Sequence, residues 1–104
     1  MLRNLQFNDQ GLIPVITQQF DNKEVLMLAW MNKEAIKLTL ETKLVHYWSR
    51  SQKKMWLKGE TSGNFQKLIE FRYDCDQDAI LILVNQKNGA CHTGEYSCFF
   101  NNVK

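Results

Sequence analysis

Residues 79–85, Ala-Ile-Leu-Ile-Leu-Val-Asn, form a nearly continuous apolar run with no polar position in alternation. Such a run predicts a central strand buried on both faces. The other β-rich segments give that strand its neighbours. Ile13–Gln19 and 24–31 flank Asp21-Asn22-Lys23, a hairpin turn in composition. Segments 44–49, 54–58 and Lys67–Tyr73 read as further strands. Asn88-Gly89 is the strongest hairpin signal and leads into a strand over 90–93. Asn32 offers a helix N-cap for 33–41, where Ile36 and Leu40, four apart, share a buried face. The expectation is a mainly β domain with one helix covering an open side.

A chain of 104 residues makes one domain, 1–104, with a core small enough for a metal or a second subunit to matter. An apolar fraction of 44% and a charged fraction of 23% suit a globular protein in water. The net charge of +2 is too weak, and too little concentrated on one face, for a nucleic-acid polymer to be the partner. No apolar run approaches the roughly 18 residues of a membrane span, and the N-terminus lacks a signal-peptide core, so no membrane partner and a cytoplasmic location are expected. Three cysteines is an odd count, which a disulfide framework would not satisfy.

Two clusters carry candidate chemistry. Cys91-His92-Thr93, with Cys98 beyond it, and Cys75 supply three thiols, enough for a tetrahedral zinc with one open position, at which bound water becomes a nucleophile. Three inert buried cysteines fit the composition equally well. His92 follows Cys91 directly, and neighbours in a strand point to opposite faces, so His92 is read as an acid–base group beside the metal. The second cluster is Asp74-Cys75-Asp76-Gln77-Asp78. On an extended segment Asp74, Asp76 and Asp78 project to one side and Cys75 to the other. Converging carboxylates repel, and a hard cation such as Mg²⁺ relieves that repulsion; a solvated acidic turn is the plainer alternative. An EF-hand is excluded, because Ala79 and Asn85 stand where its glycine and glutamate are required. The opposed directions of Cys75 and the aspartates suggest that Cys75 reaches Cys91 and Cys98 from the partner in a symmetric homodimer.

A third stretch, 49–64, mixes cations, hydroxyls and glycines suited to phosphate or ribose: Ser49, Arg50, Lys58, Thr61, Ser62 and Asn64 are its candidate substrate contacts. A basic hairpin with a polar turn is the alternative. Trp48 and Trp56 are able to stack a purine, although aromatic residues in strands are more often core. His46, Trp30 and Phe99 are read as structural.

These segments together resemble the phosphoribosyl-AMP cyclohydrolase family. The matching runs, in order, are Gly11-Leu12-Ile13-Pro14, Glu24-Val25-Leu26-Met27-Leu28-Ala29-Trp30-Met31-Asn32, Tyr47-Trp48-Ser49-Arg50-Ser51, Trp56-Leu57-Lys58-Gly59-Glu60-Thr61-Ser62-Gly63-Asn64, Asp74-Cys75-Asp76-Gln77-Asp78-Ala79, and Ala90-Cys91-His92-Thr93-Gly94 with Ser97-Cys98-Phe99. The resemblance implies a pseudo-barrel of antiparallel strands capped by one α-helix, in an intertwined homodimer. It also implies zinc held by Cys91 and Cys98 of one subunit and Cys75 of the other, and magnesium held by Asp74, Asp76 and Asp78. The implied reaction is hydrolysis of the N1–C6 bond of 1-(5-phosphoribosyl)-AMP by zinc-activated water, a step of L-histidine biosynthesis, with His92 relaying a proton. Lys43 departs from the pattern, which often has glycine after Thr42. Some relatives carry a fused pyrophosphatase domain, which this sequence is expected to lack. Two rivals are a non-catalytic zinc module, whose metal site would be saturated, and a nucleotide deaminase, whose H-x-E and P-C-x-x-C signature is absent.

Overall fold

The computed structural model describes residues 4–87, 89–91 and 93–103. In chain order its elements are β1 (Ile13–Gln19), β2 (Val25–Met31), α1 (Lys33–Thr42), β3 (His46–Ser49), β4 (Lys54–Leu57), β5 (Lys67–Tyr73) and β6 (Ile80–Asn85). The apolar run becomes β6, an interior strand of a four-stranded sheet ordered β2-β1-β6-β5. Ile80, Ile82, Leu83 and Val84 are buried there, as a strand covered on both faces requires.

The Asp21–Lys23 turn joins β1 and β2 as an antiparallel pair, and β5 pairs antiparallel with β6. β1 and β6, however, run parallel, so the sheet is mixed rather than wholly antiparallel. No hairpin joins these two strands. The chain between them passes through α1 and the separate β3–β4 pair, a crossover long enough to bring β6 back in the same direction.

Alternate residues of the sheet meet α1 and β3 in one core: Ile13 and Val15 from β1, Leu26 and Met31 from β2, Ile82 and Val84 from β6, Ala35 and Ile36 from the helix, and Val45 and Tyr47 beside it. The opposite face of the sheet is less covered. Ile16 and Leu28 are cross-strand partners on it and are 38% and 50% exposed, with Leu81 aligned on the other side of Ile16.

Asn32 caps α1 as expected, its Oδ1 accepting from the Ala35 N–H at 2.8 Å. Ile36 is buried and Leu40 packs against the core. At the other end Lys43 sits at φ 66°, and its N–H donates to the Thr39 carbonyl. That left-handed cap is the conformation glycine adopts freely and lysine adopts at a cost of about 1–2 kcal/mol. Glycine loses more backbone freedom on folding, which offsets part of this. Lys43→Gly is therefore expected to stabilise the fold by roughly 0.5–1 kcal/mol, read as a higher urea midpoint at unchanged slope.

A chain of polar groups crosses the core. The Thr17 hydroxyl lies 2.7 Å from the Tyr47 hydroxyl, which donates to Gln66 Oε1 at 2.6 Å. Gln66 Nε2 donates to Gln86 Oε1 at 2.7 Å, and the Gln86 N–H donates to Gln19 Oε1 at 2.9 Å. All five side chains are buried. Burial pushes the Tyr47 phenol far above its ordinary range, which keeps it a donor. The chain of bonds ties β1 and β3 to the segments that precede β5 and follow β6.

Two expected strands change. The 44–49 segment contributes only His46–Ser49, with Leu44 in an isolated bridge to Lys67. The strand expected over 90–93 is a loop in its described residues. Asn88 of the expected turn lies outside the described residues.

Candidate functional site

The site residues foreseen from sequence fall at two ends of the sheet. At the start of β6, residues 74–78 form the β5–β6 turn rather than an extended segment. The Gln77 N–H donates to the Asp74 carbonyl at 3.0 Å, and Gln77 itself lies at φ 61°. The tight turn follows from strand pairing: Tyr73 and Ile80 are partners, which leaves too few residues for anything straighter. The alternation expected for the three aspartates is thereby lost, and Asp74 and Asp78 come close together. Asp74 Oδ1 accepts from the N–H groups of Asp78 and Ala79, at 3.0 and 3.3 Å. The Asp74 charge, with a smaller part from Asp76, lifts the Asp78 carboxyl above its ordinary range. The crowding is one of like charges, which is why protonation of Asp78 is favoured. Cys75 is exposed on the same turn.

Trp30, at the end of β2, stands at this end too. It lines a cleft of about 380 Å³ with Gln6, Phe7, Asn8, Leu12, Pro14 and Asp78. Arg50, just past β3, lays its guanidinium 4.5 Å from the centre of the Trp30 ring. Ser49 closes β3 and accepts from the Gln52 N–H at 3.2 Å. Sequence reasoning assigned Trp30 to the core. It is half-buried and carries Arg50 instead, a pairing across two strands that no local pattern signals.

Cys91 and Cys98 lie at the opposite end, beyond the last residue of β6. Their loop folds back on itself: the Ala90 N–H donates to the Tyr96 carbonyl at 3.0 Å, Cys91 to Glu95 at 3.2 Å, and Gly94 to Cys91 at 2.9 Å. Gly89 fits because a side chain there would meet the Glu95 carbonyl oxygen at 2.6 Å. The Cys98 N–H then donates to Leu26 at 2.7 Å, and the buried Ser97 hydroxyl donates to Val25 at 2.7 Å, clipping the segment to the outer edge of β2. The two thiols lie close enough to perturb each other's ionisation. A 3.1 Å hydrogen bond from the Thr93 hydroxyl pulls the Cys91 thiol below its ordinary range, while burial, helped by the Cys91 charge, pushes Cys98 up. Phe99, assigned to the core from sequence, is 62% exposed, because the chain leaves β2 after Cys98. His92 lies outside the described residues.

Lys58 and the 59–64 loop stand beside these cysteines. Lys58 is buried; desolvation lowers its pKa, and the Cys98 and Cys91 charges act in the opposite sense. Asn64 Nδ2 donates to the Gly89 carbonyl at 3.3 Å, joining the two loops. Thr61 and Ser62 are exposed on the outside of the turn. Gly59, at φ 94°, leaves no room for a Cβ, which would lie 2.5 Å from the Phe65 nitrogen. Gly59→Ala is expected to cost at least about 2 kcal/mol and to displace Asn64, since both the backbone conformation and the contact resist it. Thermal melting checks the first effect.

Trp56 packs against the core, its ring 5.2 Å from that of Tyr47. Trp48 is half-buried. His46 Nδ1 lies 2.9 Å from the Leu44 carbonyl, a structural role as expected.

Among the described residues, no group of three or more cysteine, histidine or acidic side chains converges into a metal site within the single chain. For the cysteines the reason is distance: β6 separates Cys75 from Cys91, and its six residues span roughly 17 Å. Cys91 and Cys98 stay close together at one end of β6, with Cys75 at the other.

Comparison with known proteins assigns this arrangement a context. Residues 27–100 match the phosphoribosyl-AMP cyclohydrolase family. A phosphoribosyl-AMP cyclohydrolase of Archaeoglobus fulgidus is 66% identical over 96% of this chain and 93% of its own length. Another, from Hydrogenovibrio crunogenus, is 56% identical over 97% of this chain and 69% of its own. A histidine biosynthesis bifunctional protein of Aquifex aeolicus is 58% identical over 96% of this chain, which spans 49% of that larger protein.

Proposed function

The chain belongs to the phosphoribosyl-AMP cyclohydrolase family, and from that premise we propose that it opens the purine ring of 1-(5-phosphoribosyl)-AMP in L-histidine biosynthesis. Water adds at C6, the N1–C6 bond breaks, C6 becomes a carboxamide, and N1 leaves as part of a formamidine. The observation that carries this reading is the 66% identity to a cyclohydrolase over nearly the whole of both chains.

The site is completed by two subunits. Cys91 and Cys98 of one subunit and Cys75 of its partner would hold zinc; three sulfur donors suit that metal and leave one position open. Zinc, when bound there, lowers the pKa of a coordinated water toward neutrality. Asp74, Asp76 and Asp78 would hold magnesium, which the raised Asp78 carboxyl supports. Two features favour an intertwined homodimer: the length of β6 between Cys75 and Cys91, and the apolar sheet face around Ile16 and Leu28, which a second copy would cover. Ser49, Arg50, Lys58, Thr61, Ser62 and Asn64 bind ribose and phosphate in this reading. Residues 1–104 act as one domain. No described helix is long and apolar enough to cross a membrane, and a doubly phosphorylated substrate suits a cytoplasmic enzyme.

His92, adjacent to Cys91 in sequence, relays the proton between the attacking water and the departing N1. His92→Ala is expected to lower kcat by about 10²–10⁴-fold while zinc content stays unchanged, as loss of a general acid–base predicts. Zinc analysis alongside the rate separates this from loss of the metal.

The activity is tested by following ring opening of phosphoribosyl-AMP by absorbance with metal-stripped protein, before and after zinc and magnesium are added. Turnover that returns with metal supports the reading. A folded, zinc-loaded protein without turnover rejects it in favour of a zinc-stabilised binding module.

A further inference from the structure

The substrate carries two phosphates, one on each ribose, on arms that leave the purine at different atoms. We infer that the two phosphates are held by different subunits: one by Arg50 of the subunit that supplies Cys75, the other by the loop around Ser62 of the subunit that supplies Cys91 and Cys98. The inference rests on the shared zinc site proposed above and adds to it the division of the substrate.

The placement of the two groups carries the argument. Trp30, which bears Arg50, lines its cleft together with Asp78, so Arg50 belongs to the end of the sheet where the 74–78 turn lies. Strand register agrees: Trp30 pairs with Pro14, and Val15 pairs with Ile80, the first residue of β6. The Ser62 loop is at the far end of β6. Gly63 and Asn64 line a cleft of about 490 Å³ with Asn85, the last residue of β6, and Asn64 is bonded to Gly89 beside Cys91. A reacting ring placed where the partner's Cys75 turn meets Cys91 and Cys98 therefore has Arg50 from one chain and Ser62 from the other. The Arg50 of the second chain is a strand-length away, roughly 17 Å.

Each group is chemically equipped for a phosphate. Arg50 is exposed, and among the described residues its guanidinium has no hydrogen-bond or ion-pair partner. Its planar face is fixed by Trp30, while its N–H groups stay available for a bidentate grip. At the other end, the N–H groups of Thr61 and Ser62 meet no acceptor among the described residues. Lys67 and Lys87 line the neighbouring cleft, whose lining includes no carboxylate. Donors and cations without a counter-charge suit a phosphate monoester.

Arg50→Glu and Ser62→Asp, both at exposed positions, place a carboxylate against the phosphate each residue is proposed to hold. Each homodimer is expected to lose about 10²-fold in kcat/KM, since like charges brought together cost several kcal/mol. The two variants are then co-expressed with different tags, and the heterodimer is purified through both. One of its sites carries both changes and the other neither, so the heterodimer should recover about half the wild-type rate. Recovery no better than the parents overturns the inference. A Cys75→Ser/Cys91→Ser heterodimer, made in parallel, separates the causes. If the cysteine pair recovers and the charge pair does not, both phosphates are held by one subunit and the shared zinc site stands. If neither recovers, or no heterodimer forms, the shared site falls and the inference falls with it.

Discussion

Cys91→Ser is expected to abolish ring opening, by more than about 10²-fold, and to remove zinc from the protein while leaving the fold in place. The bound comes from comparison: losing a group that merely orients a metal ligand costs 10–100-fold, so losing the ligand itself costs more. Retention of the fold follows from the loop. Ala90, Cys91 and Gly94 are held by backbone hydrogen bonds to Tyr96, Glu95 and Cys91, none of which needs the sulfur. Serine is smaller and half-exposed there, and its hydroxyl is able to accept from Thr93 as the sulfur does. Circular dichroism should be unchanged while zinc content and rate collapse together. A Cys91→Ser protein that keeps its zinc and turns over would remove Cys91 from the site.

The largest effect on stability is expected for Gln66→Leu. Gln66 is fully buried and is the middle member of the polar chain, accepting from Tyr47 and donating to Gln86. Leucine fills the space but removes both the acceptor of the Tyr47 hydroxyl, which is left with Thr17, and the donor to Gln86 Oε1. Each buried hydrogen bond lost in this way costs about 1–2 kcal/mol, so the variant should lose roughly 2–4 kcal/mol, a large part of the stability of a domain this size. Denaturant unfolding measures the loss. A change below about 0.5 kcal/mol would mean that the neighbours find other partners. Because Gln86 starts the segment that leads to Cys91, a moderate loss of zinc affinity should accompany the destabilisation, and a chelator competition reads it separately.

Local patterns reached further into the fold than into the site. Ile13–Gln19 and Lys67–Tyr73 have the bounds their alternation and composition predict, and Asn32 caps the helix that follows it. These features depend on neighbours in sequence. The parallel pairing of β1 with β6 depends on a crossover of some sixty residues, for which the sequence carries no local mark. The same limit explains 74–78. Read alone, its alternation suggests an extended segment, but the pairing of Tyr73 with Ile80 closes it into a turn and brings Asp78 back to Asp74. Gln66 and Gln86 carry no local signal as isolated polar residues, since only the folded core brings them together. Residue type alone places Trp30 and Phe99 in the core, whereas Trp30 lies beneath Arg50 and Phe99 is exposed. The departure expected at Lys43 acquires a physical meaning: a glycine would suit the left-handed cap that lysine occupies here.

The central claim is that one ring bond, N1–C6, is broken by water. Running the reaction in ¹⁸O-water and weighing the product tests it directly. The account predicts a product heavier by one labelled water, with every nitrogen retained and the label in the new carboxamide. A product that has lost ammonia and kept a closed ring would show deamination at C6 instead, and would contradict the assignment.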